Sequence, residues 1–450
     1  MLNLPHSSVT MKRRDFLASV AATGLVMSLP GGAQAEEPAK KPSQDGLNVG
    51  IIGFGAEGAI LLDSCKNIPG LQFKAVCDIR YEERAVYAKK LLRRFGHVAN
   101  AYEDYKEMLA TEKLDAVIVA SPDWMHAEHT NACLRAGKHV YCEKEMANTL
   151  EKARSMVQTA RETKMLLQIG HQRRSNPRYR HAIDTLMREN KLLGRVTKSS
   201  AQWNRSVAPF LVSPPKFELE QSKIEKWGYS SMTELLNWRW FRKYGGGPMV
   251  DLGSHQIDLF IWLYGCAPSA IIATGGNDFY ADREWYDNVT ALYEFKTPEG
   301  IARANYNVFT TTQHGGFYET FMGTDGTIVI SEVVNRGNIA EREPTAPSWD
   351  AMIEKGYIKA PPLALKPATS KDVVIDTRVS QPAGSYQLGV ELNKYAHTPH
   401  LENFFSAIRD GVPLNCPPEL AYESAVAVLK ANEAVAAGRR LEFSPEEFKV

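Results

Sequence analysis

The chain has 450 residues, 44% hydrophobic and 23% charged, with a formal net charge of +1. That length allows about two or three domains with substantial cores, and the near-zero charge argues against nucleic acid or an anionic surface as a main partner. The six cysteines are scattered without a C-x-x-C pair, so metal-site spacing is absent and a disulfide framework is not expected.

The N-terminal stretch "MKRRDFLASVAATG" sets Arg13-Arg14 ahead of an apolar run, Phe16 to Leu29, and Ala33-Gln34-Ala35 fits an A-x-A cleavage site. Residues 1–35 therefore read as a twin-arginine signal peptide, cleaved after about Ala35 and recognised by the Tat export machinery. The expected destination is the periplasm or the extracellular space. No later apolar run is long enough to span a bilayer, so no membrane anchor is expected. Residues 36–46, rich in Pro, Lys and Glu, read as a linker.

A β-type run, Asn48 to Ile52, leads directly into Gly53-Phe54-Gly55-Ala56-Glu57-Gly58 and then a helical pattern. A second apolar run, "LQFKAVCD", ends in Asp78, about 20 residues past the last glycine. This spacing is the dinucleotide fingerprint. Gly53 permits the turn, Gly55 lets the backbone approach a pyrophosphate, and Gly58 lets the helix pack on the sheet. Asp78 is placed to accept from ribose hydroxyls. A 2′-phosphate beside it costs roughly 4 kcal/mol per unit charge at about 4 Å and an effective dielectric near 20. Arg80 is placed to offset part of that, so NAD is favoured and NADP stays open.

Strand cores at Ala116 to Val119, His139 to Cys142 and Met165 to Ile169 alternate with helical segments. The pattern predicts a doubly wound parallel Rossmann sheet over residues 47–170, with ligands beyond the carboxyl ends of its strands. That places Ser121-Pro122-Asp123, Glu143-Lys144 and His171-Gln172-Arg173 on one rim. His126 either lines the cofactor pocket or supports a helix start.

Residues 171–450 read as a second, α+β domain with an open, mostly antiparallel sheet, from short runs such as "RVTKSSAQWN", "VTALYEFK", "IARANYNVF" and "TIVIS". Two long polar stretches, Arg205 to Leu236 and Asn335 to Tyr386, are expected to be surface insertions or lids. Helical patterns at His400 to Arg409 and Glu419 to Ala437 close the chain. Within "NWRWFRKYGGGPMVDLGSHQIDLFIWLYG", Asp251, His255 and Asp258 share one helical face. One imidazole between two carboxylates is a way to hold a base near neutral pH; a capped helix with a structural histidine is the other reading. Trp238 and Arg239 suit a sugar site, by stacking and by reading hydroxyls, or else belong to a domain junction.

These motifs together resemble the glucose–fructose oxidoreductase/inositol dehydrogenase (Gfo/Idh/MocA) family: the glycine loop, Gly137-Lys138-His139-Val140 through Glu143-Lys144, Gly170 through Pro177, Gly245 through Asp258, and His400 through Phe404. The resemblance implies a nicotinamide-dependent oxidoreductase acting on a sugar, cyclitol or sugar derivative, and often homo-oligomer contacts through the second sheet. It assigns Lys144, Asp251 and His255 to catalysis, the latter two also to substrate binding. It sets Arg173 beside nicotinamide and substrate. One departure stands out: Glu145 occupies the position of the family's proline, and its carboxylate is expected to pair with Lys144 and keep it protonated.

A dinucleotide is not freely available outside the cytoplasm, so export implies a cofactor bound before transit and a redox-neutral cycle. The alternatives are an NAD-dependent glycosidase acting by transient oxidation and elimination, and a non-catalytic sugar- or cofactor-binding protein.

Overall fold

The computed structural model describes residues 46–333, 336–360 and 384–450. The expected leader, nearly all of the linker and the middle of the 335–386 stretch lie outside the described residues.

Strands β1 (Leu47–Ile52), β2 (Leu71–Cys77), β3 (Asn100–Tyr102), β4 (Ala116–Val119), β5 (His139–Cys142) and β6 (Leu167–Ile169) form a parallel sheet in the order β3-β2-β1-β4-β5-β6. The order reverses between β1 and β4, and such a switch point opens a crevice at the carboxyl ends of the strands. Register makes the rim level: Ile52 pairs with both Cys77 and Val119. Gly53, Asp78 and Ala120 therefore leave the sheet side by side. The strands are buried on both faces, as parallel strands must be. One face is covered from the far end of the chain, where Leu401, Phe404 and Phe405 of helix Thr398–Asp410 pack against Val49, Ile51 and Tyr141.

Among the described residues the second sheet has ten strands: β7 (Val196–Asn204), β8 (Ala270–Gly276), β9 (Asn288–Thr297), β10 (Gly300–Phe309), β11 (Phe317–Gly323), β12 (Gly326–Ile330), β13 (Ile339–Arg342), β14 (Ile358–Lys359), β15 (Gly384–Leu388) and β16 (Leu441–Glu442). Their order is β14-β15-β13-β12-β11-β7-β10-β9-β8-β16, antiparallel apart from the β7–β10 pair. Alternation along β10 buries Ala302, Ala304, Tyr306 and Val308 and leaves their neighbours outward. The inward set shares one core with helices Gly247–Tyr264 and Pro418–Ala437. Helix Gly247–Tyr264 is buried around most of its circumference because it also faces the first sheet's rim. The expected fold class is the observed one.

The Arg205-to-Leu236 stretch is more than a surface excursion. Ile224, Tyr229, Leu235, Trp238 and Tyr244 form a separate apolar cluster that packs on Ile79 and Trp124. The Trp124 indole donates to the Tyr229 hydroxyl at 3.0 Å. This strap thereby crosses onto the same edge of the Rossmann sheet that carries Asp78.

Candidate active site

The glycine loop fits a dinucleotide. Gly53 has φ +90°, and a Cβ on it would stand 2.5 Å from the Ala120 carbonyl oxygen. A Cβ on Gly58 would stand 2.2 Å from the Gly53 oxygen, prising the helix off the strand. At Gly55 the nearest atom to a Cβ is the Arg84 guanidinium at 3.5 Å, so this backbone is open for close approach. Helix Ala56–Cys65 starts there without a side-chain cap, leaving first-turn amides for an anion. Ala56 opens the helix, while the Phe54 side chain is buried in the core and only its backbone faces the loop.

Asp78 is locked beside this loop. Its Oδ2 accepts the Phe54 N–H at 2.7 Å, and its Oδ1 accepts the Arg80 N–H at 2.8 Å. Arg80 corrects an expectation. Its buried guanidinium pairs with Glu83 and donates to the Ser213 hydroxyl at 3.0 Å, turned into the strap. The basic group beside Asp78 is Arg84, 3.7 Å away. The helical step from Arg80 to Arg84 was the sequence signal for it.

At the end of β5, Lys144 Nζ lies 2.9 Å from Asp251 Oδ1 and 2.7 Å from the Asp251 carbonyl oxygen. Arg239 Nε lies 3.2 Å from the same Oδ1. Burial alone would raise the Asp251 pKa, but Lys144, Arg239 and Arg205 together hold it far below the usual carboxylate range. Burial pulls Lys144 down and Asp251 overrides it, so the ammonium stays charged. One helical turn beyond Asp251, His255 is buried with an unbonded Nδ1, its ring 5.5 Å from that of Trp203. Burial, Lys144, Arg173 and His171 push its pKa well below the ordinary value, so the imidazole is neutral.

The expected imidazole between two carboxylates does not form. Asp258 turns to Arg174, which it binds through both oxygens at 2.8–3.0 Å, and to the Ser424 hydroxyl at 2.8 Å. Among the described residues no carboxylate hydrogen-bonds the His255 ring. A shared helical face guarantees neighbouring positions, not contact.

Glu145 also departs from expectation. The Lys144–Glu145 peptide is cis, and the fully buried Glu145 carboxyl accepts the Met146 N–H at 2.6 Å rather than pairing with Lys144. Burial pushes its pKa up to about 8. Glu143 is likewise raised to about 8, by burial and by Glu57, and takes the Tyr141 hydroxyl at 3.1 Å. It sits beneath the rim, where a Cβ on Gly170 would meet its carboxylate at 2.6 Å.

Four further residues are engaged within the protein itself. His126 is a buttress: its ring nitrogens lie 2.7 Å from the Glu145 carbonyl and 2.6 Å from that of Ser121, and burial lowers its pKa to about 4. Ser121 Oγ is engaged by His129 at 2.9 Å. Arg173 is 1% exposed and held by Glu319 at 2.7 Å and Glu332 at 2.9 Å, so it positions Trp203 instead of opening into the cleft. Trp238 belongs to the strap's apolar cluster, with the Arg239 guanidinium 4.2 Å over its ring; it supports Arg239. Sequence reasoning passed over Trp203 and Arg205, and it placed Asp123 on the rim without giving it a role. The first two end a strand at the cleft. The Asp123 Oδ2 is buried without a partner, and burial and then Asp251 push its pKa up to about 7.

Comparison with known proteins agrees with this architecture. Residues 47–171 match the model of the oxidoreductase family with an NAD-binding Rossmann fold (GFO_IDH_MocA), and residues 222–329 match the GFO/IDH/MocA C-terminal domain. Together these matches span just over half of the sequence. The chain belongs to the Gfo/Idh/MocA oxidoreductase family, and residues 47–171 are its NAD-binding domain. It is 33% identical over 199 residues to D-glucoside 3-dehydrogenase of Escherichia coli (strain K12), covering 43% of this chain and 47% of that relative. The match thus spans about half of that relative's length. It is 25% identical over 323 residues to scyllo-inositol 2-dehydrogenase (NADP(+)) IolW of Bacillus subtilis (strain 168), covering 70% of this chain and 78% of the relative. The fold resembles the crystal structure of the WlbA dehydrogenase from Bordetella pertussis in complex with NADH and UDP-GlcNAcA, with a TM-score of 0.63 and 18% identity, covering 89% of this chain and 99% of the other.

Proposed function

We propose that the protein is an NAD-dependent oxidoreductase acting on a secondary alcohol of a sugar, cyclitol or sugar derivative. The convergence of Lys144, Asp251 and His255 at the rim that carries the glycine loop supports this most directly. The named activities of the glucoside and inositol dehydrogenase relatives point the same way.

Oxidising such an alcohol removes a hydride from carbon and a proton from oxygen. A bound nicotinamide supplies the hydride acceptor. His255, held neutral, takes the hydroxyl proton. Lys144, held charged, sets an ammonium where negative charge develops on the substrate oxygen. Asp251 fixes Lys144 and Arg239 and keeps lone pairs for a neighbouring hydroxyl.

We further propose export in folded form, on the strength of Arg13-Arg14 and the Ala33-Gln34-Ala35 site. A cofactor carried out in this way works in a redox-neutral cycle. Outward-facing Ile272 and Ile301 on the second sheet, each about half exposed, support self-association of that face.

The test is mass spectrometry of the cofactor released from purified protein, followed by incubation with free sugars, cyclitols and chromogenic glycosides. Keto-sugar formation with nicotinamide reduction supports the oxidoreductase. Aglycone release with no net reduction replaces it by the glycosidase. For export, lysine at positions 13 and 14 should leave uncleaved precursor in the cytoplasm; unchanged delivery overturns the folded-export reading.

A further inference from the structure

The charges around Lys144, Asp251 and His255 do not cancel. Arg173 is answered by Glu319 and Glu332, and Arg174 by Asp258, so neither contributes to the balance. What remains on the rim is Lys144, Arg239 and Arg205 against Asp251 and Asp123. Glu57 also acts on Arg239, and with Asp123 protonated the cations are in excess.

The two arginines are also placed as a binding pair would be. Arg205 leaves the end of β7, its backbone N–H anchored on the Phe309 carbonyl at 2.8 Å. Its guanidinium lies 5.5 Å from the Trp203 ring, which stands 5.5 Å from the His255 ring. Arg239 comes from the strap and lies over Trp238 while touching Asp251. Both residues are exposed, whereas Asp123 and His255 beneath them are buried. Aromatic backing orders each planar fork. Among the described residues Arg205 has no carboxylate within ion-pair distance. Crowding by protein and the like charge of Arg239 both lower its pKa, with Asp251 opposing.

We propose that the substrate is a sugar acid, whose carboxylate is held between Arg205 and Arg239 while an alcohol on the same ring faces His255 and Lys144. This deepens the oxidoreductase reading and rests on it for which alcohol reacts. Guanidinium forks match a carboxylate bidentately, which neutral hydroxyls do not exploit.

The holoenzyme is titrated with D-glucuronate, D-galacturonate and D-gluconate and with their neutral partners D-glucose, D-galactose and D-glucitol. Calorimetry reads binding, and nicotinamide absorbance separately reads oxidation. At least one acid should bind about 10- to 100-fold more tightly than its neutral partner, and more weakly as salt is added. Arg205→Gln should remove most of that preference and Arg205→Lys should keep part of it. Equal binding of acids and neutral sugars, no saturable binding of any acid, or a preference unaffected by Arg205→Gln would each overturn the proposal. An acid bound through Arg205 but not oxidised upholds it and instead removes the oxidoreductase reading. Oxidation of neutral sugars without acid preference does the reverse.

Discussion

The two rims of the cleft are built on different physics. On the cofactor rim, Gly53, Gly55, Gly58 and Asp78 act through backbone: close approaches that no Cβ permits, and a carboxylate held by two amide N–H groups within 24 residues of it. On the substrate rim, Lys144 and Asp251 meet across a separation of 107 residues, and each owes its protonation state to the other. The first rim is local geometry, the second is charge compensation brought together by tertiary packing. Substitutions should therefore fail in different ways on the two sides.

The largest effect is expected at His255. His255→Ala should lower turnover about 10²–10⁴-fold with cofactor still bound. Among the described residues the ring nitrogen Nδ1 has no partner to orphan, so the melting temperature should change little. A large fall in melting temperature with near-native turnover per folded molecule would return this histidine to a structural role. Lys144→Ala comes next, at about 10²–10³ in turnover. Unlike His255→Ala it should also lower the melting temperature, because Asp251 is only 13% exposed and loses its nearest cation. Measuring rate and melting on the same preparations separates the two residues.

On the cofactor rim, Asp78→Ala should shift the preference from NAD toward NADP by about 10- to 100-fold. It should leave sugar binding unchanged, as read by paired dissociation constants. A shift in sugar affinity would break the distinction between the rims.

The smallest effect is expected beneath them, at Glu145. Its folded pKa, near 8, lies above that of the unfolded chain, so its stabilising contribution is complete at acid pH and is lost as pH rises toward 8. Glu145→Gln cannot ionise. It should therefore be more stable than the native protein at pH 8 and no different near pH 4, visible as a flatter melting-temperature profile. Glu143 and Asp123 have pKa values raised in the same direction and keep part of the slope in the variant.

The legibility of each part follows the same division. The alternation of apolar runs placed β1, β4, β5 and β6 within a residue or two, since buried parallel strands leave a mark in sequence that needs no partner to read. Helix Gly247–Tyr264 was legible from its triple glycine and its apolar face. The pairing of Asp258 with Arg174 and the burial of Arg173 between two glutamates were not, because spacing along one helix carries no information on what packs against it. The strap shows the limit most clearly. Its polar, proline-bearing sequence reads as surface, yet Tyr229 and Trp238 find Ile79 and Trp124 across the fold.

The sequence by itself determined the dinucleotide loop, the alternation of strands with helices and the residue types available at the rim, because these depend on backbone conformation and on periodicity within short segments. Tertiary structure alone decided which charges face one another. It gave Asp251 to Lys144 and Arg239 and Asp258 to Arg174, and among the described residues left Arg205 without a carboxylate at ion-pair distance. Coulomb interactions act through space over a few ångströms, and only folding brings residues so far apart in the chain within that distance.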